Sequence, residues 1–238
     1  LPYTPYPPAW RWTTAYDFAP FDREIADVLR ENPRAQLICQ IDLNTPLWLS
    51  RILDRDSFNQ LGHCIHLARW RDLTTRYLQA VLRHVEKHHS RHVVGYCLCG
   101  GSTLEWFDRT RGEGSDATAA AYNRWCAERK LPIERIPDAA ARSHVSHDLL
   151  RDPVADAAAI RYWRFHNESV ASIVLDFLKT ARAEVRPGAL LGVYFGYLLS
   201  HGVGGAEMLH LGNADYSRLV DSADLDFVKG ASSFAVHG

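Results

Sequence analysis

Apolar residues recur at helical spacing in several stretches and crowd into short runs between them, and this alternation organises the chain. From Ala68 to His89, Trp70, Leu73, Tyr77, Leu78, Val81, Leu82 and Val85 fall at i, i+3 and i+4. That spacing predicts a helix of about five or six turns with one apolar face. A longer stretch, Ala155 to about Val185, carries Ile160, Trp163, Val170, Ile173, Val174, Phe177 and Leu178 as its stripe, and Pro187-Gly188 ends it. Shorter helices are expected around Phe21, Ile25, Val28 and Leu29 before Asn32-Pro33, over Ala117–Arg129, and at Tyr216–Val220.

The short apolar runs read as strands: Gln36–Asp42, Val93–Cys99, Leu190–Tyr197 and Leu225–Val228. No turn pair such as Asn-Gly separates two alternating runs, so hairpins are not expected. Helix and strand in alternation predict a parallel α/β sheet, either doubly wound or a (β/α)₈ barrel. Both architectures place function at the carboxyl ends of the strands. The strands here empty into polar, aromatic loops, Leu43-Asn44-Thr45-Pro46-Leu47-Trp48 after the first and Gly100-Gly101-Ser102-Thr103-Leu104-Glu105-Trp106-Phe107 after the second.

Composition narrows the class. At 238 residues, 47% hydrophobic and 23% charged, the chain is long enough for one full core and unlike a disordered tail. We treat residues 1–238 as one domain with no second domain. A net charge of −1 supplies no global field for nucleic acid or an anionic membrane. No run of about 18 uncharged apolar residues occurs, and the opening Leu1–Pro8 lacks the basic and apolar regions of a secretory signal. Five cysteines, Cys39, Cys64, Cys97, Cys99 and Cys126, form an odd set without a disulfide pattern, which favours a reducing, cytoplasmic compartment. Cys97 and Cys99 share a strand face, but no second pair completes a zinc site.

The glycine-rich stretch His201–Glu207 has neither the GxGxxG spacing nor a P-loop's GK[ST], so a loop rather than a nucleotide site is expected there. His84 and His88 lie one helical turn apart and could share a metal ion. Arg83, Glu86 and Lys87 on the same helix make a solvated polar face the simpler account, so neither metal nor cofactor is expected. Glu105 differs, because it follows an apolar strand and two glycines and adjoins Trp106 and Phe107. A carboxyl group between aromatic walls has its charged form disfavoured, as a general acid requires. The competing account, equally weighted from the residues, is that Glu105 opens a helix as an ordinary first-turn acid. Asp42 and Trp48 at one strand end and Tyr194 and Tyr197 at another point to a shared site, with sugar faces packing on the aromatics and hydroxyls on the acids.

Several stretches resemble the catalytic barrel of β-galactosidase-like glycoside hydrolases, the family 42 type within the large clan of retaining glycosidases. The resemblance rests on Asn32-Pro33 with Gln36–Asp42 and Thr45-Pro46-Leu47-Trp48, Val93–Tyr96 leading to Gly100–Phe107, Gly192–Tyr197, and Asp221–Phe227. It implies an incomplete (β/α)₈ barrel holding strands three to six, with Glu105 as the acid/base after strand four. It also implies a carbohydrate substrate contacted by Asp42, Trp48, Trp106, Tyr194 and Tyr197, and a retaining double displacement. The nucleophile would follow strand seven, beyond Gly238, so the isolated chain is expected to be inactive. Where the family carries Asn before the acid, this chain has Leu104. A non-catalytic glycan-binding barrel is the alternative, and a metal-dependent α/β hydrolase using the histidines a more distant one. Oligomeric state is not legible.

Overall fold

The computed structural model describes residues 7–146, 150–195 and 209–230. The chain opens with a two-stranded antiparallel hairpin, β1 (Trp10–Trp12) and β2 (Ala15–Tyr16), and the helix α1 (Ala19–Glu31). Next come β3 (Leu37–Asp42), α2 (Leu47–Leu53), α3 (Ser57–Cys64) and α4 (Ala68–His89). After β4 (Val93–Gly101) and β5 (Glu105–Phe107) follow α5 (Asp116–Glu128), α6 (Ala139–Ser143) and α7 (Ala157–Glu184). The last elements are β6 (Leu190–Tyr194), α8 (Tyr216–Val220) and β7 (Phe227–Lys229).

Four strands form one parallel sheet in the order β3-β4-β6-β7, with β5 paired to the end of β4. Successive strands are neighbours, and the long amphipathic helices α4 and α7 cross back between them, as the expected α/β pattern requires. Burial shows which sheet face the helices cover. Cys39, Ile41, Tyr96, Leu98, Leu191 and Val193 alternate toward the helices and join the main core with Trp70, Leu78, Leu82, Val174 and Phe177. Tyr96 seals this contact by donating its hydroxyl hydrogen to Glu86 Oε1 of α4 at 2.6 Å.

The register sets the other face in rows. Ile38, Gly95 and Leu190 form one row, and Gln40, Cys97, Gly192 and Phe227 the next. Glycine is required in both, since a Cβ on Gly95 would lie 2.7 Å from the Leu190 carbonyl oxygen and one on Gly192 would lie 2.3 Å from the Phe227 ring. Side chains of the outermost strands meet across this face, Lys229 Nζ of β7 donating to Gln40 Oε1 of β3 at 2.9 Å with β4 and β6 between them. The sheet is therefore curled, with this face concave. Ile38 and Leu190 are 50% and 43% exposed on it.

Three features depart from the sequence expectations. A hairpin exists at Trp10–Tyr16, held by packing of Trp10 on Tyr77 rather than by a glycine turn. The loop expected through Trp48 stops at Pro46, whose fixed φ of −67° starts α2. Glu105 opens β5, which removes the helix-opening one of its two accounts. Among the described residues no helix is long and apolar enough to cross a membrane.

Candidate functional site

The carboxyl end of β4 is a tight turn that returns Glu105 beside Gly100. Ser102 N–H donates to the Phe107 carbonyl at 2.9 Å and Glu105 N–H to the Ser102 carbonyl at 3.2 Å. The turn is strained. Gly101 has φ +65°, which costs glycine little, but Thr103, Leu104 and Trp106 hold φ of 57°, 68° and 60°. Left-handed backbone at three non-glycine residues persists only where surrounding structure imposes it.

That structure is a buried polar clamp from the loop after β3 and the start of α3. Asn44 Oδ1 accepts the Gly101 N–H at 2.9 Å, and Asn44 Nδ2 donates to the Gly101 carbonyl at 3.2 Å. Asn44 Oδ1 also accepts the Ser57 hydroxyl at 3.0 Å, whose oxygen takes the Thr45 N–H at 2.8 Å. Thr45 Oγ1 accepts from Ser57 N–H and from the Trp70 indole, each at 3.0 Å. A second anchor follows the turn at the fully buried Asp108, whose Oδ1 accepts Gly62 N–H at 2.9 Å and Thr110 N–H at 3.1 Å, while Oδ2 takes the Thr110 hydroxyl. His166 Nε2 lies 3.5 Å from Asp108 Oδ2. Asn213 donates to the Glu105 carbonyl at 3.4 Å.

Within this frame Glu105 is 2% exposed. Its Oε2 accepts the Thr103 hydroxyl at 2.5 Å, and its Oε1 has no hydrogen-bond partner among the described residues. A buried carboxylate oxygen without a partner is costly and calls for a functional account. Thr103 Oγ1 also lies 2.6 Å from the Ser102 carbonyl. One hydroxyl can therefore serve both states of the acid, donating to the carboxylate or accepting from the carboxyl while donating to Ser102.

Of the other residues singled out from sequence, Asp42 and Tyr194 lie at the carboxyl ends of their strands on the concave face. Burial pushes Asp42 up to about 7, against the Asn44 N–H that its Oδ1 accepts at 2.9 Å. Lys229 Nζ stands 4.7 Å from the Tyr194 ring centre. Tyr197 and the glycine-rich stretch His201–Glu207 fall outside the described residues. Trp106 corrects the expectation of a sugar platform. It is fully buried, donates its indole N–H to the Leu98 carbonyl at 3.1 Å, and packs against Gly100 and Phe177. Trp48 donates to the Trp10 carbonyl at 3.1 Å and packs with Trp10 and Trp12, tying α2 to the hairpin. A cleft of about 600 Å³ lies elsewhere, lined by Asp116, Asn123, Ile133 and Arg142. Sequence reasoning missed Asn44, Ser57, Asp108 and Asn213, since short polar residues in loops carry no periodic signal.

The fold matches solved structures over nearly all of its length. A β-galactosidase from the psychrophilic Marinomonas ef1 superposes with a TM-score of 0.60 at 15% identity, covering 92% of this chain and 33% of that one. A β-galactosidase from Bacillus circulans sp. alkalophilus gives 0.62 at 11% identity, covering 94% and 34%. The fold is glycosidase-like. This chain spans about a third of the length of those two enzymes. No protein-family model matches the sequence, and no match to a curated protein was found. The glycosidase-like fold thus rests on structure, with identities too low to carry residue roles across.

Proposed function

We propose that residues 1–238 are part of the (β/α)₈ catalytic domain of a retaining, β-galactosidase-like glycoside hydrolase of the family 42 type, in which Glu105 is the general acid/base. The observation that carries this reading is a buried carboxyl group at the carboxyl end of a central parallel strand, one oxygen held by Thr103 and the other unpartnered among the described residues. The arc supports it too. Strands follow chain order without the reversal of a doubly wound sheet, and the sheet curls enough for Lys229 of β7 to reach Gln40 of β3.

In this reading Glu105 protonates the leaving glycosidic oxygen while a second carboxylate, from outside the described residues and roughly 5–5.5 Å away, attacks the anomeric carbon. The deprotonated Glu105 then takes a proton from the water that releases the sugar. Thr103 holds Oε2 through both half-reactions and leaves Oε1 to face the exchanged proton. Asp42, Tyr194 and Tyr197 contact the sugar, while Trp48 and Trp106 support the loops from below. Leu104 removes the amide that the resembling family offers to the substrate, so that contact has another source here.

The test is Glu105→Gln in the protein as its gene encodes it, assayed on a galactoside with an alkyl leaving group and on one with an activated aryl leaving group. The alkyl substrate should lose about 10²–10⁴-fold in kcat/KM, with glycosylation of the aryl substrate nearly spared. Equal, small effects on both substrates overturn the assignment. Galactoside binding without turnover in the wild type overturns it in favour of a glycan-binding barrel.

A further inference from the structure

The histidine-rich end of α4 gathers a different set from the one its spacing suggests. His84 Nε2 and His89 Nε2 each lie 2.7 Å from the same oxygen, Asp22 Oδ1, which arrives from the first turn of α1. The three potential ligand atoms lie within 4.8 Å of one another. His88, one turn beyond His84, is exposed and packs its ring 4.8 Å from that of His84, but it is not one of the three. All three members of the cluster are partly buried, with side-chain exposures of 18% for His84, 17% for His89 and 39% for Asp22.

From this geometry we propose that Asp22, His84 and His89 form a binding site for a divalent transition-metal ion of the zinc type, joining α1 to the last turn of α4. Four observations converge on it. Two imidazoles and a carboxylate are a common protein ligand set for zinc, completed by water in the fourth position. Two nitrogen donors disfavour magnesium and calcium, which take oxygen. His89 is the final residue of α4, where the unpaired carbonyls of a 22-residue helix favour positive charge. The rings are also fixed in orientation, His84 stacked on Phe18 at 4.4 Å and His89 edge-on to Phe21 at 6.5 Å.

Arg83, the adjacent cation of α4, is turned to Glu184 of α7, with contacts of 2.6 and 2.7 Å. The two imidazole hydrogen bonds, opposing the effect of burial, hold Asp22 below the usual carboxylate range, which keeps it a ligand. Bonds of about 2.0–2.1 Å in tetrahedral array separate ligand atoms by roughly 3.3 Å, so the two gaps between imidazole and carboxylate, each 2.7 Å, must open by about 0.6 Å. The half-exposed Asp22 can supply that movement. Each ring, now donating Nε2–H to Asp22, must present the Nε2 lone pair, and a neutral ring does so by moving its proton to Nδ1 without net release. A doubly protonated ring releases one proton, so affinity falls as pH is lowered.

The experiment is titration of the metal-free 238-residue chain with Zn²⁺ by calorimetry and with Co²⁺ by visible absorption, with Mg²⁺ as control. One equivalent of Zn²⁺ should bind and Mg²⁺ should not. At about a hundredfold excess over Kd the thermal midpoint should rise by about 5–10 °C. Asp22→Asn and His89→Gln should each weaken binding by more than about 100-fold, whereas His88→Gln should stay within about threefold. Circular dichroism establishes that each variant is folded, and the near-isosteric Asp22→Asn carries the test if His89→Gln does not fold. No stoichiometric uptake overturns the proposal and leaves a hydrogen-bonded clasp. Uptake that survives Asp22→Asn, or that fails in His88→Gln, overturns it as well.

Discussion

Replacing Asn44 by Ala removes the piece that couples β3 to the Glu105 turn. The side chain is fully buried and makes three hydrogen bonds, two with the Gly101 peptide groups and one with Ser57. After truncation the Gly101 N–H and carbonyl lose their partner inside the protein, at about 1–3 kcal/mol each, and a small cavity adds to the loss. The sum is about 3–5 kcal/mol, or roughly 10 °C in thermal midpoint for a chain of this size. Ser57→Ala is the internal comparison, because it strands chiefly the Thr45 N–H and should cost about 1–2 kcal/mol. Urea unfolding followed by tryptophan fluorescence measures both, with an unchanged m-value marking a change in stability alone. A cost under about 1 kcal/mol for Asn44→Ala, or one below that of Ser57→Ala, would mean that Asn44 does not hold the turn.

Other consequences follow from single positions. Leu104→Asn places a residue that tolerates left-handed backbone where φ is 68°, and should raise stability by about 0.5–1 kcal/mol after the loss of some apolar contact. A lower thermal midpoint would mean that Leu104 packing outweighs its strain. Gly62→Ala puts a Cβ 2.5 Å from Asp108 Oδ2, so it should destabilise by about 2–3 kcal/mol and, in an active protein, reduce turnover more than binding. Asp42 holds a proton in the folded state up to about pH 7 that the unfolded chain releases near its ordinary 3.8. Its contribution to stability is thus fully present below about pH 4 and lost as pH rises toward 7, by at most about 4 kcal/mol. The difference between wild type and Asp42→Asn, measured by urea unfolding from pH 4 to 8, should trace that slope, and a constant difference would remove Asp42 as its source.

The long elements were legible because their periodicity comes from burial. Trp70 through Val85 and Ile173 through Leu178 mark α4 and α7, and the short runs at Leu37, Val93 and Leu190 mark strands. The segments that position Glu105 were less so. α2 and α3 are seven and eight residues long, too short for a stripe, and each depends on tertiary contacts of Trp48 or Ser57. Gly100-Gly101 announced a turn, but nothing in Thr103, Leu104 or Trp106 announces positive φ, which β-branched and bulky side chains avoid. The histidine spacing suggested His84 with His88, because the residue that selects His89 instead lies 67 positions away at Asp22. Aromatics misled most. Trp106 sits beside the acid in sequence, yet the strained turn sends its ring into the core.

The five unpaired thiols are distributed as built-in clocks. Cys39 sits in β3, Cys64 in α3, Cys97 and Cys99 in β4 and Cys126 in α5, all buried and none in a disulfide. Burial pushes Cys39 and Cys64 each up to about 12, so even a thiol-reactive reagent that finds them meets almost no thiolate. Alkylation in native buffer must then wait for the element around each sulfur to open. Peptide-resolved labelling rates would time the opening of the β3–β4 centre separately from that of α3 and α5.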